Sequence, residues 1–359
     1  MIHTIKARRV ITSRGSGRAT VNGADMIMLG SNDYLGLSTD PRVLDAAREA
    51  MEIYGSGACI YPTFAVTELH EALCGELASF LGTEAVILYS SGGAANSGVL
   101  STLVGDGDLI FSDRLNHASI VDGCRLSRAE VITYPNRDVD GLRQALRTAR
   151  PARRKLIVTD GIFSMEGGSA PLAEIYAEAC DHGAWLMVDE AHATGVVGPG
   201  GTGTPQLHGI AGSSPGLILT GSLSKALGGA SGGFVAGPAE VIGRLRTESR
   251  GWIFTMGMTT ANAATALAAT RLCRAEPELL DRLWANVHHL RRGFEDGGLS
   301  SYASESAITG LRIGTEEHAR AVSDALFEAG VYAPAMAYPV VARGEARLRI
   351  QVSAAHTVT

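Results

Sequence analysis

Between residues 85 and 219 six short, continuous apolar runs recur: Ala85 to Tyr89, Leu109 to Phe111, Val131 to Tyr134, Leu156 to Thr159, Trp185 to Val188 and Leu217 to Leu219. Each is separated from the next by a helical pattern or a glycine-rich turn. A strand that is apolar at every position has both faces covered, and alternation with helices supplies that cover. The chain is therefore predicted to be an α/β protein with a mainly parallel sheet. Gly232 to Gly237 adds one more strand, with an antiparallel direction left open. Ligands of such sheets collect at the carboxyl ends of the strands, so the residues that follow these runs are the candidates for chemistry.

The flanks read differently. Upstream, Thr39-Asp40-Pro41 starts a helix whose apolar stripe is Val43, Ala47, Met51 and Tyr54 and which Gly55 stops. A second helix is predicted from Thr67 to Leu81, with Leu69, Leu73, Leu77 and Phe80 on one face. After Trp252-Ile253-Phe254 come long helices over Ala261 to Arg274 and Pro277 to Glu295. A strand at Ile308 to Ile313, a helix from Glu316 to Ala329 and an apolar alternation at Ala346 to Val352 follow. A chain of 359 residues exceeds the size at which single cores split. The expected organisation is an N-terminal segment, residues 1–38, packing with a small domain; a large domain, 39–276; and a small α+β domain, 277–359. Neither an internal repeat nor a low-complexity linker interrupts it.

A net charge of -6 without a basic cluster gives no electrostatic case for nucleic acid or an anionic membrane. The N-terminal Met1 to Lys6 lacks an apolar signal region, and no run approaches a membrane span, so a cytoplasmic location and small-molecule chemistry are expected. Five widely spaced cysteines without a CxxC pair read as reduced thiols.

Three lysines stand against 28 arginines. Lys6, in a polar N-terminal segment, and Lys155, in Arg153-Arg154-Lys155, read as solvated charges. Lys225 instead follows the run at Gly216 to Leu219 inside Thr220-Gly221-Ser222-Leu223-Ser224-Lys225-Ala226, where small residues leave room for a ligand. A surface lysine on a turn is the bland alternative. Three polar strings lie at other strand ends. Ser91-Gly92-Gly93 to Asn96 runs from a strand into a helix start, where backbone N–H groups and the helix dipole hold a phosphate. Asp189-Glu190-Ala191-His192 puts an acid and an imidazole at a strand end. Asn116-His117-Ala118-Ser119 reads by itself as a capped helix start. A helicase reading of Asp189-Glu190 lacks the GxxxxGK[ST] loop it needs, and His117, Asp189 and His192 lack a standard metal spacing, so no metal is expected. An acid, an imidazole, a phosphate-binding helix start and a lysine on successive strand ends suit pyridoxal phosphate, whose aldehyde needs an amine and whose ring nitrogen needs a carboxylate.

Taken in order, Ser31-Asn32-Asp33-Tyr34-Leu35-Gly36, Ser91 to Asn96, Asn116 to Ile120, Asp189 to His192 with Gly195, Gly221 to Lys225, and Leu348-Arg349-Ile350 with His356-Thr357 resemble the pyridoxal-phosphate α-oxoamine synthases. The resemblance covers nearly the whole chain. It implies a fold-type-I transferase with a seven-stranded, mainly parallel sheet and a smaller α+β C-terminal domain. It implies condensation of an amino acid with an acyl thioester, carried on coenzyme A or an acyl carrier protein, usually with decarboxylation to an α-amino ketone. By the same resemblance Lys225 would form the Schiff base and move the α-proton, and Asp189 would pair with the ring nitrogen. His117 would stack on the ring, with His192 and Ser164 near its phenolic oxygen. Ser91, Gly92, Gly93 and Ser222 would hold the phosphate, with Thr255 reaching in from the second subunit of a homodimer with shared active sites. Asn32 and Arg349 would bind the amino-acid carboxylate.

This sequence also departs from the family. Ala58 to Thr67 replaces a usual Gly-Ser-Arg loop near the acyl donor and carries no arginine, Gly93 stands where an aromatic is common, and Gly257-Met258-Thr259-Thr260 replaces a stretch usually ending in two prolines. Relatives usually continue past His356-Thr357 with a further helix. Either Ile60, Tyr61 and Phe64 add apolar surface for an apolar acyl group, or Ile60 and Phe64 fill the core beneath the loop. Another fold-type-I enzyme, an aminotransferase or an aldolase, and a non-catalytic scaffold of the same fold are the competing expectations.

Overall fold

A computed structural model describes residues 9–358. The readings on Met1 to Lys6 and on Thr359 lie outside the described residues. The chain opens with a meander of β1 (Ile11–Gly15), β2 (Arg18–Val21) and β3 (Ala24–Met28), paired antiparallel. The central sheet comprises β4 (Ala85–Tyr89), β5 (Leu109–Asp113), β6 (Glu130–Tyr134), β7 (Lys155–Asp160), β8 (Trp185–Asp189), β9 (Leu217–Ser222) and β10 (Gly233–Gly237). Its spatial order is β4-β10-β9-β8-β7-β5-β6. The pairs among β5 to β9 are parallel, while β10 runs antiparallel to both β4 and β9. The six apolar runs are six of these strands, and the glycine-rich seventh has the antiparallel direction.

Side chains alternate across the sheet, and both faces are filled except at the edge strand β6, where Val131 is exposed. Leu88, Phe111, Ile157 and Val188 enter one core and Ile87, Ile110, Val158 and Met187 the other. This is why the strands carry no polar face. The larger core also takes in Ala307, Ile308, Val352 and Ala354 of the C-terminal region. That region contributes β11 (Ile308–Gly314), β12 (Val331–Tyr332), β13 (Ala335–Met336) and β14 (Ala346–Gln351). Their arrangement is β11-β14-β13, with β12 joined in parallel to β3.

The helices follow the expected boundaries, with one corrected face. Helix Pro41–Tyr54 starts where Asp40 accepts from Arg42 N, and helix Glu68–Leu81 is preceded by Thr67. In the first helix Val43 and Ala50 are buried while Met51 is exposed. Seven residues bring a helix back closer to its starting face than eight do, so Ala50 takes the inner place assigned to Met51. Lys155 is a second correction: its Nζ donates to the His182 carbonyl at 3.3 Å at the start of β7, so the charge is tied down and half-buried. Among the described residues no helix is long and apolar enough to cross a membrane.

Candidate active site

The carboxyl ends of β4, β7, β8 and β9 and the turn after β5 converge on a cavity of about 230 Å³. From β4 the chain passes through Ser91 into helix Gly92–Leu103, where Ser91 Oγ accepts from Ala94 N at 3.1 Å. The other N–H groups of that first turn are those a helix leaves without partners. Close approach requires glycine here: a Cβ on Gly92 would meet Ser222 Cβ at 3.1 Å, and one on Gly233 would lie 2.4 Å from the Ser91 carbonyl carbon. The hydroxyls of Ser222 and Ser224, 2.7 Å apart, border the same turn.

Asp189, at the end of β8, is held at both oxygens. Ala191 N donates to Oδ1 at 2.9 Å and Asn96 Nδ2 to Oδ2 at 2.7 Å. Asn96 also donates to Ser119 Oγ at 2.9 Å and accepts from Thr220 Oγ1 at 2.6 Å, so β9 and two helices fix the carboxylate's direction. Asp160 is the register partner of Asp189 across β7 and β8 and lines the cavity beside it. Burial, reinforced by the Asp189 charge, pushes the Asp160 carboxyl well above the carboxylate range. His117 is the N-cap of helix Ala118–Ser127, its Nδ1 accepting from Ser119 N at 3.2 Å, and its ring also borders the cavity. The capping reading and the site reading of His117 therefore hold together.

Lys225 Nζ lies 3.0 Å from His192 Nε2, and His192 Nδ1 lies 2.8 Å from the hydroxyl of Tyr34. Burial lowers the Lys225 amine to about 8, against the pull of the Asp189 and Asp160 carboxylates and with the help of the Arg349 charge. Burial first, then the charges of Lys225 and Arg349, hold His192 well below its ordinary value. Gly195 sits at φ +79°, and a Cβ there would lie 2.8 Å from Ala226 Cβ, so the turn after β8 can lie against the lysine segment. On β14, Arg349 Nε donates to the Ser164 carbonyl at 2.5 Å, and its Nη2 is buried without a hydrogen-bond partner.

Residues 24–359 match the family model of aminotransferases of class I and II. The 8-amino-7-oxononanoate synthase of Symbiobacterium thermophilum is 43% identical over 95% of this chain and 86% of its own length. Serine palmitoyltransferase, solved with pyridoxal phosphate as an internal aldimine, superposes with a TM-score of 0.94 at 33% identity, over 98% of this chain and 88% of that one. The 8-amino-7-oxononanoate synthase of Francisella tularensis gives a TM-score of 0.79 at 27% identity, over 92% and 93%. The chain belongs to the pyridoxal-phosphate-dependent α-oxoamine synthases.

The cavity of this α-oxoamine synthase fits the cofactor. A helix start without side chains at Gly92 and Gly93 and two serine hydroxyls suit a phosphate. A carboxylate and a lysine of lowered pKa share the same space. Ser91, Gly92, Gly93, His117, Ser164, Asp189, His192, Ser222 and Lys225 all line it. Three expected residues do not. Asn32 accepts from Gln351 Nε2, and its Oδ1 lies 3.5 Å from the Tyr34 hydroxyl, behind His192. Arg349 reaches the wall through Ser164. Thr255 Oγ1 donates to the Gly251 carbonyl at 3.0 Å, outside the cavity of its own chain. Glu190, next to Asp189 in the chain, points away: it is wholly buried, accepts from Thr204 N at 2.7 Å, and burial pushes it up to about 7.

The loop at 58–67 corrects the core-filling alternative. Phe64 is 78% exposed and meets Tyr61 edge-on with ring centroids 6.1 Å apart. Ile60 and Pro62 wall a separate cavity of about 170 Å³ with Trp252, Met256 and Met258. Within one chain this loop does not line the Lys225 cavity. Asn96 and Tyr34 stand in the quoted strings without a role of their own, and Asp160 and Gln351 stand in none. Only Asn96 carried a usable signal, four residues beyond Gly92 and so one helical turn along the same face.

Proposed function

We propose that this chain condenses an α-amino acid with an acyl thioester, releases the amino-acid carboxylate as carbon dioxide and yields an α-amino ketone. The observation that carries the reading is Arg349, a buried guanidinium anchored at Nε with Nη2 unpaired. A buried cation with an idle donor suits a substrate carboxylate, which a planar fork of donors can grip at two points. Asn32 is proposed to assist through the Gln351 and Tyr34 network behind it.

When bound, pyridoxal phosphate supplies an aldehyde that captures amines and a ring that withdraws the electron pair released at the amino acid's α-carbon. Lys225 would hold the cofactor and, once displaced by the substrate amine, take the α-proton on Nζ and later return one. An amine near 8 is matched to both directions of transfer. Asp189, oriented by Asn96 and Ala191 N, would pair with the ring nitrogen. His117 would cover one ring face, His192 and Ser164 would meet the ring hydroxyl, and Ser91, Gly92, Gly93 and Ser222 would hold the phosphate. Thr255 is proposed to reach the phosphate of a partner subunit in a homodimer. Supporting this, Phe254, Met256 and Phe64 are 64%, 53% and 78% exposed in one chain, as expected of surface awaiting a second copy.

The acyl group is proposed to be apolar, because the 58–67 loop offers Ile60, Tyr61 and Phe64 and no cation. The name 8-amino-7-oxononanoate favours the other reading, since that product ends in a carboxylate far from the amino ketone. Competition of a straight-chain acyl thioester against succinyl and pimeloyl thioesters, each on coenzyme A and on a carrier protein, separates them. A dicarboxylic preference overturns the apolar reading and leaves the condensation standing. Failure to consume any thioester, with amino transfer to an oxo acid instead, overturns the condensation.

A further inference from the structure

Tyr34 is completely buried and touches the reactive amine only through one imidazole. Its hydroxyl is 2.8 Å from His192 Nδ1, and His192 Nε2 is 3.0 Å from Lys225 Nζ. The far side of the hydroxyl is supplied with both kinds of partner: Asn32 Oδ1, an acceptor, at 3.5 Å, and Gln351 Nε2, a donor, at 3.4 Å. The phenol can therefore donate to His192 while accepting from Gln351, or accept from His192 while donating to Asn32.

A neutral imidazole has one N–H and one lone pair, so the direction of the bond at Nδ1 fixes what Nε2 offers the lysine. If Nδ1–H donates to Tyr34, Nε2 accepts from the charged ammonium of Lys225. If Tyr34 O–H donates to Nδ1, Nε2–H donates to the lone pair of the free amine. The two states differ by one proton, exchanged by the lysine with solvent or substrate. The other charged groups near the amine are Asp189, Asp160 and Arg349, with His117 beside His192. Asp189, Asp160 and His117 act through charge, while Arg349 also hydrogen-bonds the Tyr34 hydroxyl and, being only a donor, leaves the phenol O–H free to point at His192 or at Asn32.

We propose that Tyr34 is a positioning residue that sets the tautomer of His192 and, through it, the protonation of Lys225. The proposal rests on the reading of Lys225 as the cofactor-binding amine, which borohydride fixation of the cofactor to its peptide tests separately. In Tyr34→Phe, Nδ1 loses its partner. An unpaired buried N–H is rarer than an unpaired acceptor, so the ring is driven to the Nε2–H form, and Lys225 gives up its proton more readily.

The test uses the full-length chain freed of cofactor. Because only Lys6, Lys155 and Lys225 are present, ¹⁵N NMR of the side-chain amines resolves one titration for each. Tyr34→Phe is expected to lower the proton affinity of Lys225 at least tenfold. In the parent, the ring ¹⁵N shifts of His192 are expected to change tautomer as Lys225 titrates. With cofactor restored, the kcat/KM profile should move on the pH axis with the lysine. A Lys225 proton affinity within twofold of the parent in folded Tyr34→Phe overturns the proposal, and so does a His192 tautomer that stays fixed through the lysine titration. Should Tyr34→Phe fail to fold, the tautomer measurement on the parent decides alone.

Discussion

Replacing Arg349 by lysine keeps the charge and removes the fork. In the parent the Nε bond to the Ser164 carbonyl fixes the guanidinium plane, and Nη2 is buried without a hydrogen-bond partner. A lysine has one nitrogen on a flexible stem and cannot hold Ser164 and grip a carboxylate at two points. At least one charge-assisted hydrogen bond to the substrate is lost, worth roughly 1.5–3 kcal/mol. At about 1.4 kcal/mol per decade this is roughly a 10- to 150-fold loss of kcat/KM for the amino acid. Steady-state rates at saturating thioester, with the amino acid varied, are expected to put most of that loss in KM. Arg349→Met supplies the companion measurement. It removes a guanidinium that burial opposes, so its melting temperature is expected to match or exceed the parent's while activity collapses. A loss below about threefold in Arg349→Lys, equivalent to roughly 0.7 kcal/mol, or Arg349→Met falling in stability as steeply as in activity, refutes a carboxylate-binding role.

Glu190→Gln should alter stability rather than chemistry. The native carboxyl holds its proton up to about 7 against an ordinary 4.5, so stability falls as pH rises from 4.5 to 7 and is level above, by about 3 kcal/mol in all. The glutamine variant should lose that slope and be the more stable one above pH 7 in urea unfolding at fixed protein and cofactor concentration; an unchanged slope contradicts the assignment. Asp189→Asn should retain borohydride fixation at Lys225 yet lose two to three orders of magnitude in turnover, roughly 3–4 kcal/mol, since Ala191 N and Asn96 Nδ2 already donate to both positions its amide nitrogen could occupy. Turnover within tenfold of the parent would contradict it. Phe64→Ala should weaken self-association and leave the melting temperature of the isolated chain unchanged, because Phe64 is largely exposed there; sedimentation across a dilution series reads both states, and dimerisation unaffected by the change removes Phe64 from the interface.

The central strands are legible because each is an apolar run, covered on both faces in all but the edge strand β6. The N-terminal meander is not: all of β1 is exposed, and in β2 buried Ala19 and Val21 alternate with exposed Arg18 and half-buried Thr20, so neither forms a continuous run. The site divides in the same way. Asp189 follows its apolar run directly, and Gly92, His192 and Lys225 lie three, four and six residues beyond theirs, a position that marks the end of a strand facing a ligand. Asp160 follows such a run as well, but an acid after Thr159 reads equally as a solvated strand terminus. What makes it chemical is its pairing with Asp189 across β7 and β8. Asn96 acquires its role from a carboxylate 93 positions away, and Gln351 from Tyr34, 317 positions away.

Register is the quantity that turns these separate strings into a site. Sliding β7 by one residue against β8 would turn the Asp160 side chain to the opposite face of the sheet and set Thr159 or Gly161 beside Asp189. The cavity would then hold one carboxylate instead of two. Asp160 also accepts a long hydrogen bond, 3.5 Å, from His117 N, and its own N–H donates to Asn116 Oδ1 at 2.9 Å. Asn116 in turn donates to the Val158 carbonyl at 2.9 Å and to Ser112 Oγ at 3.0 Å. The polar residue just before His117 thus locks the ends of β5 and β7 together. In doing so it fixes the second carboxylate at the cavity wall from the β5 side, while Gly161 N, donating to the Asp189 carbonyl at 2.8 Å, carries the β7–β8 pairing past the two acids and holds the register on which the charge balance around Lys225 depends.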